Sequence, residues 1–134
     1  MPLLEWSDSL ALGQNAMDAT HREFVELLNR LGEATDADLL ERLDAFAVHT
    51  EAHFRQEEAW MEQTQFPPLA CHRGEHENIL ELVREVRRRV AGGELHFGRT
   101  LAAALAEWFP LHAGSMDTML AQFIAATGFE PNTG

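Results

Sequence analysis

Residues 49–76 read HTEAHFRQEEAWMEQTQFPPLACHRGEH, and the rest of the chain is interpreted outward from them. The first part is rich in Ala, Glu, Gln and Arg, which are good helix formers, and carries no alternating β-branched run that would mark a strand. Phe66-Pro67-Pro68 stops this helix, since proline lacks the backbone donor and pushes the residue before it out of helical geometry. A second helix starts at once, from about Leu69. Two helices joined so briefly are antiparallel neighbours. His53 and Glu57 lie one turn apart near the end of the first, and His72 and His76 one turn apart near the start of the second. The hairpin therefore brings both pairs into register.

The flanks repeat the pattern. Asn15 is a good N-cap, with Asp18 as an approximate capping box, for a helix that ends near Gly32. Gly92-Gly93 ends the helix that begins at Leu69, with Arg87, Arg88 and Arg89 near its negative C-terminal dipole. A last helix runs to Thr127, with Gly128 as its C′ residue in a Gly- and Pro-bearing stretch that reaches Gly134. The expected helices cover about 16–32, 37–63, 69–91 and 98–127, after an N-terminal arm over 1–15 in which Trp6 packs across the bundle. The predicted fold is all-α: one domain over 1–134, an antiparallel up-down-up-down four-helix bundle.

The chain of 134 residues is 46% hydrophobic and 24% charged, ordinary proportions for a globular domain. Ten basic residues, all Arg, face 22 acidic ones, for a net charge of −12. That balance excludes nucleic acid and anionic membrane surfaces as partners, because both reward clustered positive charge. No run approaches the roughly 20 apolar residues of a spanning helix. With a single cysteine, Cys71, and no basic-then-apolar start, the expected location is the cytoplasm.

Steps of three and four trace the inward stripe of each helix. Most positions are apolar: Met17, Phe24, Leu28 and Leu31; then Leu39, Leu43, Phe46 and Trp60; then Ile79, Val83, Val86 and Val90; then Leu101, Leu105 and Trp108. The exceptions are His21, His53, Glu57, His72, His76, His112 and Asp117. An unpaired buried carboxylate or imidazole costs several kcal/mol. A domain with only about 5–15 kcal/mol of stability would not survive seven of them uncompensated. In the antiparallel topology all seven fall at one level. Five imidazoles and two carboxylates are too many for one tetrahedral zinc. They suit two closely spaced six-coordinate transition metals bridged by the carboxylates, and mixed nitrogen and oxygen donors favour iron or manganese over calcium or magnesium.

Taken together, Trp6, Gly13, Asp18-x-x-His21, His53-Phe54-x-x-Glu57-Glu58-x-x-Met61, Phe66-Pro67, His72-x-x-x-His76 and Trp108-x-x-x-His112-x-x-x-x-Asp117 resemble the hemerythrin family, most closely its single-domain bacterial members. The resemblance covers nearly the whole chain. It implies reversible O2 binding, for carriage, storage or sensing, at a non-haem di-iron centre with an oxo or hydroxo bridge. It further implies that His72, His76 and His112 hold one iron, that His21 and His53 hold the other with a position open for O2, and that Glu57 and Asp117 bridge them. In this scheme no side-chain acid or base is needed. The Glu-x-x-His pairs of ferritin-like di-iron enzymes occur nowhere in the sequence. The alternative is an enzyme using the same iron pair on nitric oxide, peroxide or ferrous iron. A signalling role would need a separate partner protein, as would delivery to an oxygen-using one.

Family members commonly carry Leu three residues before the last His and Ile just after it. Here these are Phe109 and Ala113, both expected to line the O2 pocket. Pro110 should loosen the last helix, and the following turn lets Asp117, five residues beyond His112, swing inward. His49 is expected on the flank or surface rather than as an eighth ligand, and His96 in an exposed loop. Cys71 is expected to point off the stripe as a small packing residue and not a ligand, Glu58 to lie outside the seam, exposed or behind a ligand, and the Arg84 and Arg87 to Arg89 run to form a solvated face.

Overall fold

The computed structural model describes residues 2–131, so Met1 and the last residues of the run to Gly134 lie outside it. The chain is helical, with no strand among the described residues. Helices α1 (Asn15–Gly32), α2 (Leu39–Gln63) and α3 (Leu69–Ala91) are followed by α4 (His96–His112). A π-helical turn, Ala113–Asp117, joins α4 directly to α5 (Thr118–Thr127), so these three segments form the fourth rod. Helix α1 packs on α2 and α4, α2 on α3, and α3 on α4. This is the antiparallel four-helix bundle expected from the short connections.

Two turns set the register of α2, α3 and α4. At the end of α2 the Phe66 N–H donates to Met61 O (2.9 Å) and the Gln65 N–H to Glu62 O (3.2 Å), a Schellman closure. Its left-handed position belongs to Gln65, at φ 56°. Phe66 and Met61 are both buried in one apolar cluster, the contact that usually accompanies this motif. At the end of α3 the same pair of bonds runs from Glu94 to Arg89 and from Gly93 to Val90, and here a glycine takes the positive φ, 100°.

The arm is tied down differently from expectation. Gln14, not Asn15, caps α1, its side chain accepting from the Met17 N–H. Asp18 reaches back instead to the Leu12 and Gly13 amides at 2.8 and 3.2 Å, fixing the arm to the first turn. Asn29 clamps its far end through the Leu3 and Leu4 amides and the Leu4 carbonyl. Trp6 lies on the bundle, with the Arg22 guanidinium over its ring at 5.0 Å. Helix α2 starts at Leu39 rather than just after Asp36, and His96 opens α4 instead of lying in a loop, although it is exposed as expected.

The apolar interior is divided in two. One cluster contains Phe24, Leu28, Leu31, Leu43, Phe46, Val83, Val86, Leu101, Leu105 and Phe109. The smaller contains Met17, Trp60, Met61, Phe66, Leu120 and Ile124. On α1, α2 and the fourth rod, His21, Glu57 and Asp117 lie in sequence between the two clusters, and His112 sits within the last turn of the first. A polar layer thus crosses the bundle near the end that carries the Pro67-Pro68 turn. Among the described residues, no helix is long and apolar enough to cross a membrane.

Candidate metal centre

All seven candidate residues are buried, none more than 4% exposed. Helical spacing of four places His53 above Glu57 on α2 and His72 above His76 on α3, so each pair points into the bundle. The pair on the fourth rod is five apart, which on an ideal α-helix leaves the two about 140° out of line. The π turn removes that misfit: the Thr118 N–H bonds back to Ala113 O, the Thr118 hydroxyl donates to the same carbonyl at 2.7 Å, and Asp117 faces the layer. The turn begins three residues after Pro110, in the segment where a loosened helix was anticipated.

The contacts within the layer sort themselves by carboxylate oxygen. Glu57 Oε2 lies 2.7 Å from His53 Nε2 and 3.4 Å from His21 Nε2. Its other oxygen, Oε1, lies 3.4 Å from His72 Nε2 and 3.3 Å from His76 Nε2. Asp117 repeats the division, with Oδ2 at 3.2 Å from His21 Nε2 and Oδ1 at 3.1 and 3.2 Å from His72 and His112 Nε2. Donor atoms from Glu57, His72, His76, His112 and Asp117 lie within 4.8 Å of one another, as do those of His21, His53 and Glu57. Ligands on adjacent corners of an octahedron with bonds of about 2.1 Å are about 3.0 Å apart. Most of these separations are close to that edge.

A metal also accounts for what hydrogen bonding leaves over. The Nε2 atoms of His72, His76 and His112, Glu57 Oε1 and both Asp117 oxygens are buried without a hydrogen-bond partner. Such groups are normally satisfied, and a cation between them satisfies all of them at once. Electrostatics of the metal-free layer point the same way. Burial would depress the His21 imidazole, but the carboxylates of Asp117 and Glu57 beside it outweigh this and push its pKa up to about 10. His72 is pushed up to about 9 against the same burial by the same two carboxylates. Burial opposes ionisation of Glu57 and Asp117, yet the surrounding imidazoles hold both below the ordinary carboxylate range. Protons stand in for the cations that the site is built to hold.

Two acidic residues that the inward stripes do not reveal complete the layer. Of its two expected placements Glu58 takes the one behind a ligand: it is buried, and its Oε2 accepts from His76 Nδ1 at 3.0 Å while Arg55 and Arg73 hold its other oxygen. Glu75 Oε1 accepts from His112 Nδ1 and from Trp108 Nε1, both at 2.9 Å. Stacking holds the same rings: Phe54 lies parallel to His76 at 3.9 Å, and Trp108 stacks on His112 at 4.5 Å. Carboxylates on the far nitrogen of a ligating imidazole fix its tautomer and orientation. Each Glu is adjacent in sequence to a seam residue, Glu58 to Glu57 and Glu75 to His76, and of the two only Glu75 reads there as plain surface charge.

The other singled-out residues fall as follows. Phe109 and Ala113 are buried, with the Phe109 ring edge-on to His21 at 5.1 Å and stacked on Phe24 at 4.6 Å. His49 is half-buried, its Nδ1 3.6 Å from Glu23, and is not among the grouped donors. Cys71 points off the stripe as expected but is exposed rather than packed. The arginines pair along the surface, Arg87 with Asp44, and Arg88 and Arg89 with Glu85.

Similarity to known proteins agrees with this geometry. Residues 12–124 match the hemerythrin HHE cation binding domain. The chain is 51% identical over 128 residues to a bacteriohemerythrin of Ralstonia nicotianae, covering 96% of this chain and 93% of that one. It is 30% identical over 113 residues to the hemerythrin alpha subunit of Lingula anatina, covering 84% and 87% of the two chains. A crystal structure of a hemerythrin point mutant superposes with a TM-score of 0.85 over 93% of this chain and 99% of the other, at 20% identity, a likeness of fold. On its sequence match over most of its length, the chain belongs to the hemerythrin family.

Proposed function

We propose that this protein binds O2 reversibly at a non-haem di-iron centre held by His21, His53, Glu57, His72, His76, His112 and Asp117. The observation that carries the reading is the division of the two carboxylates, each offering one oxygen to His21 and its neighbour and the other to the three-histidine group. A bound, bridged iron pair supplies reversible two-electron exchange with O2. The chain offers five donors to one position (His72, His76, His112, Glu57, Asp117) and four to the other (His21, His53, Glu57, Asp117). Six-coordinate metals sharing one bridge would be fully supplied at the first position and left one place short at the second. Ligand binding therefore belongs to the two-histidine half.

The remaining residues favour binding over turnover. Glu57 and Asp117 would offset cationic charge inside the bundle, while the buried Phe109 presents its apolar ring to His21 and Ala113 is buried next to His112 in sequence. Glu58 and Glu75, the nearest further acids, are engaged on the outer nitrogens of His76 and His112. Neither is placed to pass a proton to a ligand at the two-histidine half. This supports a carrier, store or sensor that works with an oxygen-using or signalling partner in the cytoplasm, rather than an enzyme. Metal content with visible absorption tests it: an oxygen-dependent band that vanishes reversibly on degassing is expected, with two irons per chain. Sustained consumption of nitric oxide, peroxide or ferrous iron over many cycles would overturn it in favour of the enzyme.

A further inference from the structure

Helices α1 and α2 leave a cleft of about 320 Å³ between them, lined by Ala16, Ala19 and Glu23 on one side and His49, Ala52 and His53 on the other. Ala19, Ala52 and Glu23 are exposed, His49 is half-buried and His53 is buried. The cleft thus runs from the surface inward to a residue of the two-histidine half. Its outer walls are alanines, so it is kept open by the absence of side chain rather than by strain.

Two imidazole nitrogens on its lining are buried without a partner, His53 Nδ1 and His49 Nε2. His53 turns Nε2 toward Glu57, so once Nε2 coordinates, its remaining proton sits on Nδ1 and requires an acceptor. His76 and His112 have Glu58 and Glu75 for this purpose; His53, like His21 and His72, has no protein acceptor on Nδ1, and of these three it is the one that lines the cleft. The His49 and His53 rings lie 6.1 Å apart between centres, with no hydrogen bond joining them. A small molecule in the cleft meets both needs. The volume holds a diatomic molecule and several waters, each water taking about 30 Å³.

Resting on the di-iron reading above, we propose that this cleft is the route by which small ligands reach the two-histidine half, and that Glu23 at its mouth favours uncharged molecules over anions. Glu23 contributes a carboxylate beside the opening of a chain whose net charge is already −12, and such a field lowers the local concentration of anions without touching neutral diatomics. Nothing else among the lining residues carries a fixed positive charge.

The test uses iron-loaded protein and stopped-flow absorption, with azide as the anionic probe of the ferric form and nitric oxide as the uncharged probe of the ferrous form. Filling the cleft with Ala19→Leu and Ala52→Leu together is expected to slow both association rates about tenfold or more, as a blocked approach affects association. Glu23→Gln is expected to raise the azide rate about two- to threefold, more at low ionic strength, and leave nitric oxide unchanged. Ala104→Leu, on the exposed face of α4, is the control and should change neither. Unchanged rates in the filled variant overturn the route; equal effects of Glu23→Gln on both probes overturn the selection. A second arm needs no metal: dissolved paramagnetic O2 should relax the Ala16 and Ala52 methyl protons of the metal-free protein faster than those of the exposed Ala59 and Ala104. Equal relaxation counts against the route. Protein that takes up no iron would refute the di-iron reading and leave this arm to decide the cleft.

Discussion

Removing Gly114 converts the wide turn at Ala113–Asp117 into an ordinary α-helical one, and the consequence can be worked from the geometry. At about 100° per residue, five α-helical residues would leave Asp117 about 140° from His112. On a side-chain radius of about 5 Å that is a displacement of about 9 Å, whereas the two side chains are 3.2 Å apart in the folded protein. The extra residue of the π turn absorbs the difference. With Gly114 deleted the spacing becomes four, the same as between His53 and Glu57, whose atoms approach to 2.7 Å. Gly114 is exposed and nothing stands within 4 Å of where its Cβ would be, so its loss disturbs no packing. The deleted protein is expected to fold, keep two metals per chain by elemental analysis, and keep the rise in melting temperature that metal confers. Deleting Ala104 instead, also exposed but upstream of His112, rotates both ligands by about 100° and is expected to abolish metal binding. A folded Gly114-deleted protein that cannot hold metal, or an Ala104-deleted one that can, would refute this account of the turn.

Further outcomes follow from particular contacts. Gln65→Gly relieves a non-glycine residue at φ 56° and should raise the unfolding free energy of the metal-free protein by about 1 kcal/mol, read as a higher denaturation midpoint with an unchanged m value. Glu75→Leu strands His112 Nδ1 and Trp108 Nε1 together, and metal affinity measured against a chelator is expected to fall about 10- to 100-fold, with Glu75→Gln milder because its amide oxygen still accepts. Because His21 and His72 titrate near 10 and 9 without metal, both carry protons at pH 7 that coordination must release. Metal affinity should therefore fall with decreasing pH, and calorimetry in buffers of different ionisation enthalpy should count at least those two protons. The same raised values stabilise the metal-free fold fully below the ordinary histidine range and are lost as pH rises through 9 and then 10, which pH-dependent unfolding will show. Ala113→Ile adds apolar bulk beside the layer and is expected to slow autoxidation of the oxygenated form; an unchanged rate would remove Ala113 from the lining of the ligand pocket.

The bundle was legible because apolar residues at steps of three and four cannot be buried otherwise, and the short Phe66-Pro67-Pro68 and Gly92-Gly93 turns leave no other topology. The seven inward polar residues stood out for the same reason, since each occupies a place that packing reserves for Leu or Val. What lies one residue off the seam was not legible. Glu75 looks like a solvated acid, and Glu58 is left between surface and support, until tertiary contacts supply the His112 and His76 nitrogens. Cys71 shows the converse, a residue type that is usually buried turned outward by helix phase. The spacing of His112 and Asp117 hinted at irregular backbone, but a π turn is a cooperative choice that local composition does not announce. Gln14 displaced Asn15 as the cap because Asp18 was already engaged by the arm.

The division of the interior bears on how this protein comes apart. The small greasy group around Met17, Trp60, Phe66 and Leu120 touches the rest of the hydrophobic mass only across the charged stratum. On the di-iron reading proposed above, coordination would rivet those two parts; without it, the end carrying the proline hairpin would rely on its small apolar cluster alone. Amide hydrogens there should exchange early when iron leaves, while those around Leu43 and Val86 stay protected, and loss of cargo would be felt first as fraying at a single end of the molecule.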